Sequence, residues 1–243
     1  MMPWPHGSPI GAAAIMAVRW PWFSPIAPMR SRRWYGSAPR IMCPSCRRGG
    51  NSGMVGGATP DASGRAILLS LRRLNSLSPV EPGSHLVRAG AGVILQTLHE
   101  HVAAAGRRFP LSLGGKGSAT VGGLISTNAG GTQVLRHGTM RAQVAGVQAV
   151  LADGTIFDAM TPLKKDNRGY DLRHLLIGAE GTLGIVTAAT LTTAPALTDR
   201  CVAWVGLDSA AAAWRLLCHV EPAAEQLEGF EILPDGCLQS VLR

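Results

Sequence analysis

An α+β fold is predicted by three observations. Short runs rich in Val, Ile, Leu and Thr read as strands, two segments carry apolar residues at helical spacing, and three glycine clusters punctuate them. Those clusters are Gly49-Gly50-Asn51-Ser52-Gly53-Met54-Val55-Gly56-Gly57, Gly122-Gly123-Leu124-Ile125-Ser126-Thr127-Asn128-Ala129-Gly130-Gly131 and Gly178-Ala179-Glu180-Gly181-Thr182-Leu183-Gly184-Ile185-Val186. Glycine lacks Cβ and tolerates positive φ, so successive N–H groups can turn toward anionic oxygens with no side chain in the way. One cluster alone reads equally well as a tight turn. Three together point to one extended ligand.

The elements follow in order. Residues 66–71 (Ala-Ile-Leu-Leu-Ser-Leu) form a short strand and residues 85–89 another. Gly90-Ala91-Gly92 turns into a helix over 93–105, where Leu95, Leu98 and Val102 recur at helical spacing, and Gly106 closes it. Residues 144–151 are a strand, with a hairpin-type Asp153-Gly154 turn into Thr155-Ile156-Phe157. A helical turn at 171–176 leads into the loop 177–186, and residues 187–192 are a strand of β-branched alternation. Pro195 marks a boundary; beyond it 201–206 reads as a strand and 209–220 as an alanine-rich helix capped by Ser209.

Two superficial motifs are set aside. Gly90-x-Gly92 before a helix suggests a dinucleotide turn, but the third glycine position is Leu95 and no downstream acid completes it. In Gly114-Gly115-Lys116-Gly117-Ser118 the Gly117 separates Lys116 from Ser118, so the run is not a nucleotide-triphosphate loop.

The net charge of +8 is unevenly spread. No Asp or Glu precedes Asp61, and residues 1–60 hold seven of the 23 basic residues, leaving 16 basic against 15 acidic groups in the remainder. A nucleic-acid partner is therefore not expected. Five cysteines without framework spacing do not form a disulfide scaffold, and Cys43-Pro44-Ser45-Cys46 lacks a second pair to complete a metal site, so no metal is expected there. No apolar run reaches the roughly 20 residues that cross a bilayer, and prolines interrupt residues 1–26, so neither a span nor a secretory signal is read. These features suggest a cytoplasmic, reducing location.

Residues 1–48 form an anomalous basic head, rich in Trp, Pro, Arg and Met and without sustained periodicity. Codons for residues 23–48 can be chosen so that a one-nucleotide offset spells a capped amphipathic helix followed by Val-Pro-Val-Val. The head therefore reads either as translation in a shifted frame or as a disordered or targeting-like basic segment.

From Gly49 to about Leu197 the motifs carry a resemblance. Gly49-Gly50-Asn51-Ser52-Gly53, Thr127-Asn128-Ala129-Gly130-Gly131, Leu151-Ala152-Asp153-Gly154-Thr155, Asp166-Asn167-Arg168-Gly169-Tyr170-Asp171-Leu172 and the third glycine cluster agree in order and spacing with one family. The chain resembles the FAD-linked 2-hydroxy-acid dehydrogenases, which act on D-lactate, glycolate or D-2-hydroxyglutarate and carry an FAD domain of the p-cresol methylhydroxylase type. The resemblance implies a two-subdomain FAD-binding domain over 49–197, incomplete at its N-terminus, and the beginning of a truncated substrate domain over 198–243.

It also implies FAD as cofactor. Backbone amides of Gly50, Asn51, Ser52 and Gly53 would hold the pyrophosphate, with Gly49 and Met54 beside them in the cofactor site and Gly56 and Gly57 letting the next strand pack close. Gly115, Gly117, Ser118, Thr120, Gly122 and Gly123 would line the flavin and ribityl side, Asn128, Ala129 and Gly130 would continue along it, and Glu180, Gly181, Gly184, Ile185 and Val186 would close the adenosine side. The chain departs from the family at His137, where Tyr is usual, at Ser52 for Thr and at Leu124 for Asn.

The implied reaction oxidises a small D-2-hydroxy acid to the 2-oxo acid, with the electron acceptor open. Base, metal ligands and substrate cations lie in the family's second half, so no catalytic residue is assigned, and the chain alone is expected to be inactive. The alternative is a catalytically silent flavin-binding subunit that acts only with a partner.

Overall fold

Residues 14–17, 45–62, 66–80, 83, 85–163, 165–223 and 225–242 are described by a computed structural model. The central layer is a four-stranded antiparallel sheet in the order β4-β8-β6-β7, formed by β4 (Leu86–Gly90), β8 (Gly184–Thr192), β6 (Val144–Leu151) and β7 (Ile156–Ala159). Val147, Ala149, Ala189 and Leu191 are sealed from solvent, because the two middle strands are covered on both faces. Such strands read as nearly continuous apolar runs.

Helix α1 (Leu95–Ala103) lays Leu95, Leu98 and Val102 into this core, as its spacing predicts, and Gly106 adopts φ +68° three residues after it ends. The Asp153-Gly154 turn forms as expected: Gly154 has φ +84° and Asp153 Oδ1 accepts the Thr155 N–H at 2.8 Å.

A second sheet has the order β1-β3-β2, with β3 (Ile67–Ser70) antiparallel to β1 (Ala14–Ala17) and parallel to β2 (Ser45–Arg48). Two strands thus lie within residues 1–48, where no periodicity announced them; they are four residues each, too short to show one. Leu69, Leu71, Leu74, Ala91 and Ile185 form a small apolar cluster joining this sheet to the central one.

Three further expectations are corrected. Residues 121–126, where the second glycine cluster was expected to punctuate the elements, form helix α2 (Val121–Ser126), with Val121, Leu124 and Ile125 buried. Its paired glycines carry poor helix propensity, which tertiary packing overrides: a Cβ on Gly122 would sit 2.7 Å from the Ala91 side chain. Strand β8 begins at Gly184 rather than 187, because Ile185 and Val186 already pair with Val150 and Ala149. The strand expected at 201–206 does not form; among the described residues it has no partner, and Val202 and Trp204 are 71% and 86% exposed. The sequence also concealed a two-residue ladder between β5 (Arg107–Arg108) and β9 (Ala194–Pro195).

Short helices α3 (Val134–His137), α4 (Met140–Gln143) and α5 (Arg173–Leu176) connect the strands. Beyond β9, α6 (Ala210–Val220) is capped as expected, Ser209 Oγ accepting the Ala212 N–H at 3.1 Å, and α7 (Asp235–Val241) follows. No helix among the described residues is long and apolar enough to cross a membrane.

Candidate functional site

The three glycine clusters converge on one open cleft of about 270 Å³. The first cluster supplies one wall by contact too close for any side chain: a Cβ on Gly50 would lie 1.6 Å from the Ser118 carbonyl oxygen, and one on Gly49 2.2 Å from Thr120 Oγ1. Beyond that point the loop opens. Among the described residues a Cβ at Gly53 or Gly57 would meet nothing beyond its chain neighbours within 4 Å, and the N–H groups of Asn51, Ser52 and Gly53 have no acceptor there. Asn51 itself adopts φ 55°, a left-handed conformation that Asn tolerates better than most residues.

Thr120 occupies the position before α2 where a hydroxyl normally caps the helix, yet it makes no such bond. Its residue is 2% exposed and its Oγ1 is buried without a hydrogen-bond partner among the described residues. A buried, unmet hydroxyl costs about 1–3 kcal/mol unless something outside the fold satisfies it. Thr120 also lines the cleft, with its hydroxyl covered by Gly49.

The cleft is lined by fifteen of the residues named from the sequence: Gly49, Gly50, Asn51, Ser52, Gly53, Gly57, Thr120, Gly122, Gly123, Ala129, Glu180, Gly181, Gly184, Ile185 and Val186. Met54, Gly56, Gly115, Gly117, Ser118, Asn128 and Gly130 are not among its lining. Two of these have other tasks. Asn128 Oδ1 accepts the Arg141 N–H at 2.9 Å, and the Ser118 carbonyl is the surface on which Gly50 packs.

The reason for a glycine at 122 also differs from the one expected. Its N–H is not offered to a ligand but donates to the Ala91 carbonyl at 2.8 Å, so the missing side chain serves packing. Sequence reasoning missed Arg47 and Arg48, which with Glu180 are the charged side chains of the lining. Only their place next to Gly49 could have signalled them.

The histidines are held elsewhere. His99 Nε2 lies 2.9 Å from the Leu111 carbonyl, and burial lowers its pKa; His101 Nε2 meets the Ser78 carbonyl at 2.7 Å. His137 sits in a charged cluster where Arg108 contacts Glu228 at 2.5 Å, Arg136 contacts it at 3.4 Å and His137 Nε2 lies 3.5 Å away. No group of three or more His, Cys, Asp or Glu that could hold a metal occurs among the described residues.

Burial lowers the His137 pKa; for Glu228 burial pushes upward, but the hydrogen bonds and charges of Arg108 and His137 together outweigh it and hold the carboxyl below its ordinary value. Both groups are depressed in the fold, so their stabilisation is full above the unfolded-state values and is lost as pH falls, beginning near the histidine value of about 6.5. Urea unfolding should show a lower midpoint at pH 5.5 than at 7.5, by less than about 1 kcal/mol at this partly exposed site. His137→Gln should shrink that difference; an unchanged difference would remove His137 from the account.

A family model described as an FAD binding domain matches residues 43–159. The chain is 40% identical over 196 residues to the mitochondrial D-2-hydroxyglutarate dehydrogenase of Bos taurus, covering 80% of this chain and 36% of that protein. It is 34% identical over 196 residues to the D-2-hydroxyglutarate–pyruvate transhydrogenase of Saccharomyces cerevisiae, covering 80% of this chain and 39% of the relative. The chain belongs to the FAD-linked 2-hydroxy-acid dehydrogenase family.

Among solved structures, an alkyldihydroxyacetonephosphate synthase matches with TM-score 0.57 at 22% identity, covering 68% of this chain and 30% of that one. That likeness shows the fold alone, which is the FAD-binding fold of the p-cresol methylhydroxylase type. The chain spans about a third of the length of the curated dehydrogenases it matches. Its cofactor is FAD. The expected cytoplasmic location is overturned: relatives from Bos taurus, Oryza sativa and Arabidopsis thaliana are mitochondrial enzymes, which points to the mitochondrion instead. The cysteine argument failed because a reducing environment does not distinguish the two compartments.

Proposed function

We propose that this chain is the FAD-binding part of a dehydrogenase that oxidises a D-2-hydroxy acid to the 2-oxo acid. Residues 49–197 form the two-subdomain FAD domain and residues 198–243 begin a substrate domain. The observation that carries the reading is the cleft itself, where three unpartnered N–H groups at Asn51, Ser52 and Gly53 share a lining with the unmet Thr120 hydroxyl. The three N–H groups suit the oxygens of a pyrophosphate, and the Arg47 and Arg48 side chains of the same lining add positive charge.

At about 270 Å³ the cleft is slightly smaller than an ordinary small-molecule pocket of roughly 300–1,000 Å³. A dinucleotide would be held there with part of its length outside the cleft. Bound FAD supplies the hydride acceptor. The chain's own residues hold and orient: Gly49 and Gly50 fix the loop against Ser118 and Thr120, Asn51 to Gly53 present N–H groups, and Ile185 and Val186 form an apolar border.

Calorimetric titration of the 243-residue chain with FAD, FMN and riboflavin tests this assignment. FAD should bind at least about tenfold more tightly than riboflavin, since the unpaired donors await phosphate oxygens. Equal affinities would contradict it.

A further inference from the structure

We propose that Arg141, in α4 and outside the cleft lining, is the positioning residue that fixes two of the three glycine loops against each other. The inference rests on the reading of the cleft as the FAD site. Both loops hold strained backbone: Asn128 has φ 47° and Glu180 φ 50°, with Gly178 and Gly181 at 84° and 80°. A non-glycine residue in that region costs of order 1–3 kcal/mol and persists only where its surroundings impose it.

Arg141 imposes it from both sides. Its backbone N–H donates to Asn128 Oδ1 at 2.9 Å. Its guanidinium donates through Nη1 to the His174 carbonyl at 2.7 Å and to His174 Nδ1 at 3.0 Å, and through Nη2 to the Ile177 carbonyl at 2.5 Å. The fork thus grips the chain immediately before Gly178, where a Cβ would lie 3.4 Å from Nη2 and 3.3 Å from the Asn128 Cβ.

Two main-chain bonds complete the seam, from the Gly178 N–H to the Ile125 carbonyl at 3.0 Å and from the Glu180 N–H to the Ser126 carbonyl at 2.8 Å. Ser126, Thr127 and Ala129 on one side and Glu180, Gly181 and Gly184 on the other then face the cleft together. A lysine cannot replace this, because a single ammonium lacks the planar fork that reaches two carbonyls at once.

The test compares Arg141→Met and Arg141→Lys with Arg107→Met in the 243-residue chain. Arg107 is a control of similar bonding outside the cleft lining, donating to the Thr193 carbonyl at 2.6 Å and to Thr193 Oγ1 at 3.1 Å. Amide hydrogen exchange is measured without flavin, and FAD affinity separately.

Arg141→Met should speed exchange at Gly178 and Glu180 by at least about tenfold and weaken FAD to a similar degree, with Arg141→Lys between it and the parent. Arg107→Met should leave both within about twofold of the parent, whatever it does to the unfolding midpoint. Unchanged exchange in Arg141→Met, equal effects from Arg107→Met, or accelerated exchange with unchanged FAD affinity would each overturn the proposal. If the parent binds no FAD while the exchange contrast holds, the FAD assignment fails and the clamp stands.

Discussion

Gly50→Ala is expected to abolish FAD retention and to destabilise the fold by more than about 3 kcal/mol, beyond the usual cost of an overpacked core. The new Cβ would sit 1.6 Å from the Ser118 carbonyl oxygen and 2.4 Å from its carbon. Both are backbone atoms, so no rotamer change relieves the clash; the Gly49 to Gly53 loop must move away from residues 118–120. That shift opens the wall that seals Thr120 and misplaces the N–H groups of Asn51 to Gly53. Urea unfolding and flavin content after purification check it. A variant with parental midpoint and flavin content would show that the loop does not pack as described.

The second large effect is on turnover. The 243-residue chain should not oxidise D-2-hydroxyglutarate, D-lactate or glycolate at a measurable rate in a dye-linked assay, even when loaded with FAD. Hydride removal from a hydroxylated carbon requires a base within hydrogen-bond reach of the hydroxyl and a substrate held in register. Glu180 is the one carboxylate of the described lining, which includes no histidine, lysine or cysteine, and the open side of the cleft admits water. Fusing the C-terminal portion of a full-length relative should restore turnover. Activity of the 243-residue chain would refute this division of labour and direct attention to Glu180. A loaded chain that stays inert until a separate partner is added would instead favour the flavin-binding-subunit reading.

What the sequence made legible was local. The apolar run 144–151 coincides with β6, and Leu95, Leu98 and Val102 are the buried face of α1, because period and burial are written into consecutive residues. The glycine clusters marked the cleft for the same reason. The hidden parts depend on contacts far along the chain. Helix α2 forms over Gly122-Gly123 because Ala91 packs against it. The Thr120 hydroxyl gains its meaning only when Gly49, some 70 residues earlier, covers it. Arg141 had no motif of its own, since its partners lie on two other segments, Asn128 after α2 and His174 and Ile177 at α5.

The histidine at 137 stood out as a departure from its family's pattern. The structure places it against Glu228 and Arg108. The metal-like Cys43-x-x-Cys46 spacing cannot be followed in full, since Cys43 lies outside the described residues; Cys46 Sγ sits 3.7 Å from the Gly57 carbonyl oxygen.

The central claim, that the open stretch of the first glycine loop receives the FAD pyrophosphate, is tested most directly by titrating the Gly53→Val variant with FAD beside its apo-state unfolding curve. Among the described residues no atom beyond its chain neighbours lies within 4 Å of a Cβ at Gly53, and its φ is not in the left-handed region, so the apo midpoint should match the parent. The valine would project from a loop that lines the cleft and should weaken FAD by roughly a hundredfold or more, about 2.7 kcal/mol. Parental FAD affinity in a normally folded Gly53→Val chain would contradict the account.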